Sequence, residues 1–232
     1  MTSPFADSIR AAFVECRDMD ASLGERLNAF AASVRAISQP FAEAADRLVD
    51  RLQKADVGAG APGVGDLMPR FYLPDEKGRV VSLPELLVDG PVAVVIHRGH
   101  WCPYCRINTR ALAQARPLIA EAGGKVVAII PDRERYAAII RSEADASFPV
   151  LTDMDNGYAM SLNLVFWVGE EMRTFMTAAG LDLPEYQANE SWMVPVPATF
   201  VVGREGRIEA RFVDPDYRKR MTIESILAAF RA

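Results

Sequence analysis

The chain has 232 residues, half of them hydrophobic and a quarter charged, with a formal net charge of −5. This is the composition of a soluble globular protein and excludes disordered, collagen-like and fibrous classes. The acidic balance speaks against nucleic-acid binding, and the one basic cluster, Arg218-Lys219-Arg220, reads as a solvated turn or helix start.

No apolar run reaches the roughly 18 residues of a membrane span, and "MTSPFADSIR" lacks the basic and apolar regions of a secretory signal. The expectation is a soluble, cytoplasmic protein with no membrane partner. Three cysteines, an odd number, do not make a secreted disulfide framework, whereas a close pair in a reducing compartment indicates redox or metal chemistry. Cys16, far from the pair, reads as an ordinary helix residue.

The first fifty or so residues carry helical periodicity. Leu23, Leu27, Phe30, Val34 and Ile37 recur at spacings of four and three, and Phe41, Ala45, Leu48 and Leu52 repeat the pattern after Pro40. Two amphipathic helices joined at "SQP" are expected, their stripes packing on the rest of the chain, on each other, or on a second copy in a homodimer. The Gly/Pro/Ala stretch "VGAGAPGVG", from Val57 to Gly65, reads as a linker, which divides an N-terminal helical extension, residues 1–57, from a second domain, residues 64–232.

Beyond the linker the period changes. "RFYLP" and "RVVSL" around "DEKG" predict a short hairpin, and "PVAVVIH" (Pro91 to His97) a strand buried on both faces. A helix is predicted from Pro103 to about Glu121, with a kink or break at Pro117. "KVVAIIP" predicts a second buried strand, "RERYAAIIRSEAD" a helix, "FPVLTD" a short strand and Asn156 to Asn163 another helix. This β-α-β-α alternation implies a parallel sheet with right-handed crossovers. Val165 to Met193 reads as an irregular insertion with one helix ending at Gly180. "ATFVV" and "IEARFV" form a closing hairpin across Gly203 to Gly206, and "TIESILAAF" is a C-terminal helix.

The segment "HRGHWCPYCR", His97 to Arg106, holds both histidines and two of the three cysteines. At the start of a helix, free N–H groups and the helix dipole favour Cys102 as a thiolate. Cys105, three residues on, shares its helical face and lies within disulfide reach. Cys102 at the mouth of the site would attack, and Cys105, inside the first turn, would resolve. His100 and Arg98 could supply positive charge or donors near Cys102, and Trp101 a flat apolar wall, while Pro103 occupies the first helical position. His97, at the strand end, reads as a structural histidine bonded to backbone. Zinc on His100, Cys102 and Cys105 lacks the second Cys or His pair that structural sites usually draw on, so no metal and no cofactor is expected. Pro197, immediately before a buried strand, allows a cis bond that would expose the backbone of Val196 to a bound chain or disulfide partner.

These features resemble the thioredoxin superfamily and, within it, the peroxiredoxin-like branch of the alkyl hydroperoxide reductase and thiol-specific antioxidant family. "GDLMPRFYLPDEKGRVVSLPELL" is similar to the family's opening segment, "HRGHWCPYC" to its redox turn, "FPVLTD" to its middle strand, and "PVPATFVVGREGRIEARFVDPDYRKR" to its closing hairpin. The resemblance implies an α/β thioredoxin-like fold, a central mixed sheet flanked by helices and preceded by the N-terminal helical segment. It also implies an antioxidant role in cell redox homeostasis, with the attacking cysteine at Cys102, its partner at Cys105 and the cis-proline at Pro197. The chain departs from the family where typical members carry Pro and Thr seven and three residues before the attacking cysteine, and an Arg on the late strand. Val95 and Gly99 occupy the first two places, and Pro197 lies near the third. The strand entering the motif also lacks the buried Asp usual in thioredoxins.

Three readings stay open on this basis. Cys102 attacks a peroxide and Cys105 closes a disulfide that thioredoxin, glutaredoxin or a small thiol reduces; or Cys102 attacks a disulfide substrate; or the pair is a non-catalytic redox sensor.

Overall fold

A computed structural model describes residues 4–231. Its N-terminal part forms three helices where two were expected: α1 (Pro4–Asp18), α2 (Leu23–Ile37) and α3 (Gln39–Lys54). The additional helix, α1, carries Phe13 and Cys16 into the core. Ser22 starts α2 through a capping box with Glu25, and Ser38 caps α3 just ahead of Pro40. Each such cap is worth about 1 kcal/mol. The stripe residues Leu23, Leu27, Phe30 and Val34 are buried within the chain itself, in one apolar cluster with Ile96 and Cys105 of the second half. The helices therefore pack on the second half of the molecule, the first of the arrangements considered.

The glycine-rich segment is fixed in place by its backbone. The Arg211 guanidinium donates to the Ala61 and Pro62 carbonyls, the Asn163 amide to the Gly60 carbonyl, and the Gly65 N–H to Ile208. Secondary structure changes at this stretch while the apolar core runs on across it.

Strands β1 (Tyr72–Pro74) and β2 (Val80–Ser82) form the expected hairpin, and α4 (Leu83–Val88) follows from the Ser82 cap. Next come β3 (Val92–Ile96), α5 (Pro103–Gln114), α6 (Arg116–Glu121), β4 (Lys125–Ile130), α7 (Glu134–Glu143) and β5 (Val150–Thr152). The predicted break in the long helix falls at Ala115, two residues before Pro117. A short α8 (Gly157–Ser161) leads into the insertion. This is more regular than expected, with β6 (Val165–Trp167) and β7 (Met193–Pro195) pairing antiparallel around α9 (Glu170–Ala178) and α10 (Leu183–Gln187). Strands β8 (Ala198–Val202) and β9 (Ile208–Val213) and helix α11 (Ile223–Phe230) complete the chain.

The central sheet has the order β5-β4-β3-β8-β9. Strands β3, β4 and β5 run parallel, while β8 is antiparallel to β3 and to β9. Alternation sends Val92, Val94 and Ile96 of β3 to one face, with the N-terminal helices and the insertion. Ala93 and Val95 go to the other, with Leu112, Ile140 and Phe230 of α5, α7 and α11. Every residue of β3 is buried, as its unbroken apolar run requires. Val95, at the place where typical family members carry proline, is thus a core residue on the far face. The sheet delivers the chain from the end of β3 directly into the turn that holds the cysteines.

Candidate active site

The turn between β3 and α5 is held from both ends. The His97 N–H donates to Ile129 in the neighbouring strand, and the Cys102 N–H donates to Gly99. Asp132, fully buried at the end of β4, accepts the His100 N–H at 2.7 Å and meets His100 Nδ1 at 2.7 Å. The imidazole also stacks on Tyr136 and meets Tyr186 edge-on. His100 therefore serves as a clasp on Asp132, and the positive charge expected from it at Cys102 comes from other residues.

Gly99 has φ +143°, and a Cβ there would lie 2.4 Å from Trp101 Nε1 and 2.9 Å from Asp132 Oδ2. Only glycine suits that backbone and that space. The chain lacks the family's threonine at this position for a steric reason.

Cys102 is the N-cap of α5, with no side-chain capping bond of its own, and Pro103 begins the helix. The Cys105 and Arg106 N–H groups donate to the Cys102 carbonyl at 3.0 and 3.1 Å. Both cysteines are free and buried, Cys102 at 1% and Cys105 at 0% exposure. The exposed attacking sulfur expected from the sequence is thus covered, and the asymmetry takes another form: Cys102 lines a cavity of about 560 Å³, which Cys105 does not reach. Phe5, Ile9, Phe13 and Phe30 of α1 and α2 line that cavity together with Met172 and Met176 of α9. Trp101 forms part of the wall, as anticipated.

The two thiols are driven apart electrostatically. Burial opposes ionisation of Cys102. It is outweighed by the hydrogen bond from the Cys105 thiol, the guanidinium groups of Arg98 and Arg220, and the Cys105 N–H, which together lower the Cys102 pKa to about 6. Cys105 moves the opposite way, raised well above the ordinary thiol value by burial first and then by its hydrogen bond to, and repulsion from, the Cys102 thiolate. Arg98 is 3% exposed, its guanidinium carbon 4.0 Å from the Tyr217 ring and 5.0 Å from Trp101, and its own N–H donates to Cys105 Sγ at 3.4 Å.

Arg220 is the site residue that the sequence reading missed. Placed there on a solvated turn, it is 8% exposed, with Nη2 donating to Cys105 Sγ at 3.3 Å. Its Nη1 donates to the carbonyls of Tyr217 and Lys219. Together with Arg98 it supplies guanidinium charge beside the cysteine pair, from positions other than the late strand where typical family members carry their arginine.

His97 is wholly buried and bonded to a side chain rather than to backbone. The Thr109 hydroxyl donates to the Cys105 carbonyl, so its oxygen accepts from His97 Nε2, and Nδ1 is left bare and without a partner. Burial, followed by the Arg220 charge, lowers the His97 pKa to about 3 and keeps the ring neutral. Pro197 follows a trans bond, since the described residues contain no cis peptide. The Val196 N–H donates to the Leu164 carbonyl at 2.6 Å, because the β6–β7 ladder occupies the edge that a bound chain would need. These two findings correct the cis-proline and docking-backbone expectations. Among the described residues no cluster of three His, Cys, Asp or Glu side chains could hold a metal ion.

The AhpC/TSA family model matches residues 64–211, most of the chain and all of the β3–α5 turn. The chain belongs to the AhpC/TSA family. It is a thiol-based oxidoreductase with the thioredoxin-like fold of peroxiredoxins. Similar solved structures include peroxidoxin BcpB from Mycobacterium tuberculosis, at 22% identity over 72% of this chain and 96% of that one, with a TM-score of 0.56. A yeast mitochondrial 1-Cys peroxiredoxin, whose thiol is resolved through glutathione/thioredoxin systems, has 17% identity over 71% and 73% and a TM-score of 0.53. The bacterioferritin comigratory protein of Xanthomonas campestris, described for alkyl peroxide reduction, has 13% identity over 69% and 89% and a TM-score of 0.50. No curated protein matches the chain. Helices α1 to α3 and Arg220 lie outside the matched segment.

Proposed function

We propose that the protein reduces hydroperoxides, including ones with a bulky apolar body, through an internal disulfide between Cys102 and Cys105. The observation that carries this reading is the placement of the Cys102 sulfur: at a helix N-cap, beside two guanidinium groups, and open to an apolar cavity. The thiolate attacks the outer peroxide oxygen, the S–O bond forms as the O–O bond breaks, and the alkoxide leaves with a proton as an alcohol. The sulfenic acid on Cys102 then condenses with Cys105, releasing water. Thioredoxin, glutaredoxin or a small thiol returns the disulfide to two thiols, in line with the thiol systems named for the yeast relative.

Reduction of protein disulfides is less well supported. A protein substrate would have to reach Cys102, a residue 1% exposed on a cavity lined by α1 and α2, without the backbone edge at Val196. A small oxidant meets neither obstacle.

The test measures consumption of hydrogen peroxide and cumene hydroperoxide, and reduction of insulin disulfides, by the parent and by Cys102→Ser. Peroxide consumption lost in Cys102→Ser supports the proposal. Insulin reduction without peroxidase activity moves the protein to the disulfide reductases, and absence of both leaves a redox sensor.

A further inference from the structure

We propose that Arg220 is a catalytic residue of the resolving step, its guanidinium holding the Cys105 sulfur as a thiolate while that sulfur attacks oxidised Cys102. This rests on the reading of Cys102 as the attacking thiol. The geometry that points to it is local and built. Arg220 sits 8% exposed with Nη1 pinned to two backbone carbonyls, so that Nη2 is directed at Cys105 Sγ at 3.3 Å. No carboxylate pairs with Arg220 among the described residues; in the resting state the Cys102 thiolate balances its charge, and oxidation of Cys102 to the neutral sulfenic acid leaves that charge uncompensated in a buried place. A buried cation without an anion is costly, and a thiolate at Cys105 is the anion that this position would stabilise.

The resting state withholds that role. While Cys102 is ionised, Cys105 donates its proton to the neighbouring sulfur, and a second negative charge beside the first is opposed. Oxidation of Cys102 to the neutral sulfenic acid removes this repulsion and leaves Arg220 and the Arg98 N–H facing Cys105. Of the other titratable and charged groups facing the pair, Arg98 acts on Cys102, the Tyr104 and Tyr217 hydroxyls are pushed up by burial and stay neutral, and so does His97, close to Arg220. The Cys105 thiolate then attacks the Cys102 sulfur; the S–S bond forms, the S–O bond breaks, and the departing hydroxide takes the proton given up by Cys105 to leave as water. One arginine thus serves two sulfurs in succession, aiding ionisation of the first through space and of the second by direct contact.

The test mixes reduced protein with one equivalent of hydrogen peroxide and follows two phases, oxidation and resolution, by intrinsic fluorescence in a Trp167→Phe, Trp192→Phe background that leaves Trp101, next to Cys102, as the reporter. Dimedone trapping followed by mass spectrometry counts the sulfenic acid. In Arg220→Gln the resolving phase is expected to slow at least about tenfold at pH 7, the oxidation phase less, with dimedone-trapped Cys102 accumulating. The pH midpoint of the resolving phase should rise in Arg220→Gln and return most of the way in Arg220→Lys. Equal slowing of both phases, or an unmoved midpoint, overturns the proposal. The parent supplies a check that needs no variant: a resolving midpoint at or above the free-thiol value of about 8.5 also overturns it. If the parent forms neither sulfenic acid nor the Cys102–Cys105 disulfide, the peroxidase reading falls and this proposal with it. Normal sulfenic acid formation with an Arg220-independent second phase removes this proposal alone.

Discussion

Replacing Arg98 by Met tests whether electrostatics sets the reactivity of Cys102. The Arg98 guanidinium lies between Tyr217 and Trp101, at 4.0 and 5.0 Å, and methionine keeps an unbranched apolar stem between the rings while removing the charge. With the Cys102 pKa at about 6, roughly nine-tenths of the sulfur is ionised at pH 7, against about 3% for a free thiol near 8.5. An opposite charge at close range shifts a pKa by about one unit or more, and Arg98 shares the effect with Arg220 and Cys105, so a rise of about one unit is expected. At pH 6 the thiolate fraction then falls from about one half to about one tenth, a roughly fivefold loss of rate, whereas at pH 9 the two proteins should react alike. The assay is iodoacetamide alkylation across pH 5 to 9, with peptide mass spectrometry separating Cys102 from Cys105. A variant with the parent's midpoint, or one slowed equally at every pH, would refute the electrostatic account.

Three other outcomes follow from the geometry. Gly99→Ala should lose about 1–3 kcal/mol in urea unfolding, because φ +143° and the Trp101 and Asp132 walls exclude a Cβ; an unchanged midpoint would show that the turn can relax. His97 binds its proton near pH 6.5 when unfolded but only at about 3 when folded, so stability is full above 6.5 and declines as pH falls from there to 3. At pH 4 the loss should be up to about 3 kcal/mol, and His97→Asn should flatten that part of the profile; equal acid sensitivity in the two proteins would argue against it. Ile9→Trp, which narrows the cavity that Ile9 lines, should depress kcat/KM for cumene hydroperoxide by about fivefold or more relative to hydrogen peroxide. Equal kcat/KM ratios for parent and variant would remove the cavity from substrate selection.

The parts of the site legible in the sequence are those governed by neighbours along the chain. The apolar run of β3, the proline opening α5 and the three-residue spacing of the cysteines determine strand, turn and shared helical face locally. Features that depend on distant contacts were hidden. Arg220 stands in a basic run whose local signal is solvent exposure, yet it reaches a sulfur 115 residues away. The β6–β7 ladder joins segments separated by two helices, and it consumes the Val196 N–H that a bound chain would have used. The burial of Cys102 depends on α1 and α2, whose periodicity announces helices but does not say which surface they cover.

The reacting turn lies inside the stretch common to the family, whereas half of the chamber above it is built from helices outside that stretch. The turn that carries the sulfurs and much of the wall around them thus come from different parts of the chain, with Arg220 joining the helices outside the matched stretch. If the chamber selects the peroxide, changes in residues 4–54 would alter what reaches Cys102 while the turn beneath stays as it is, and grafting those helices onto a relative would transfer a preference without moving the cysteines.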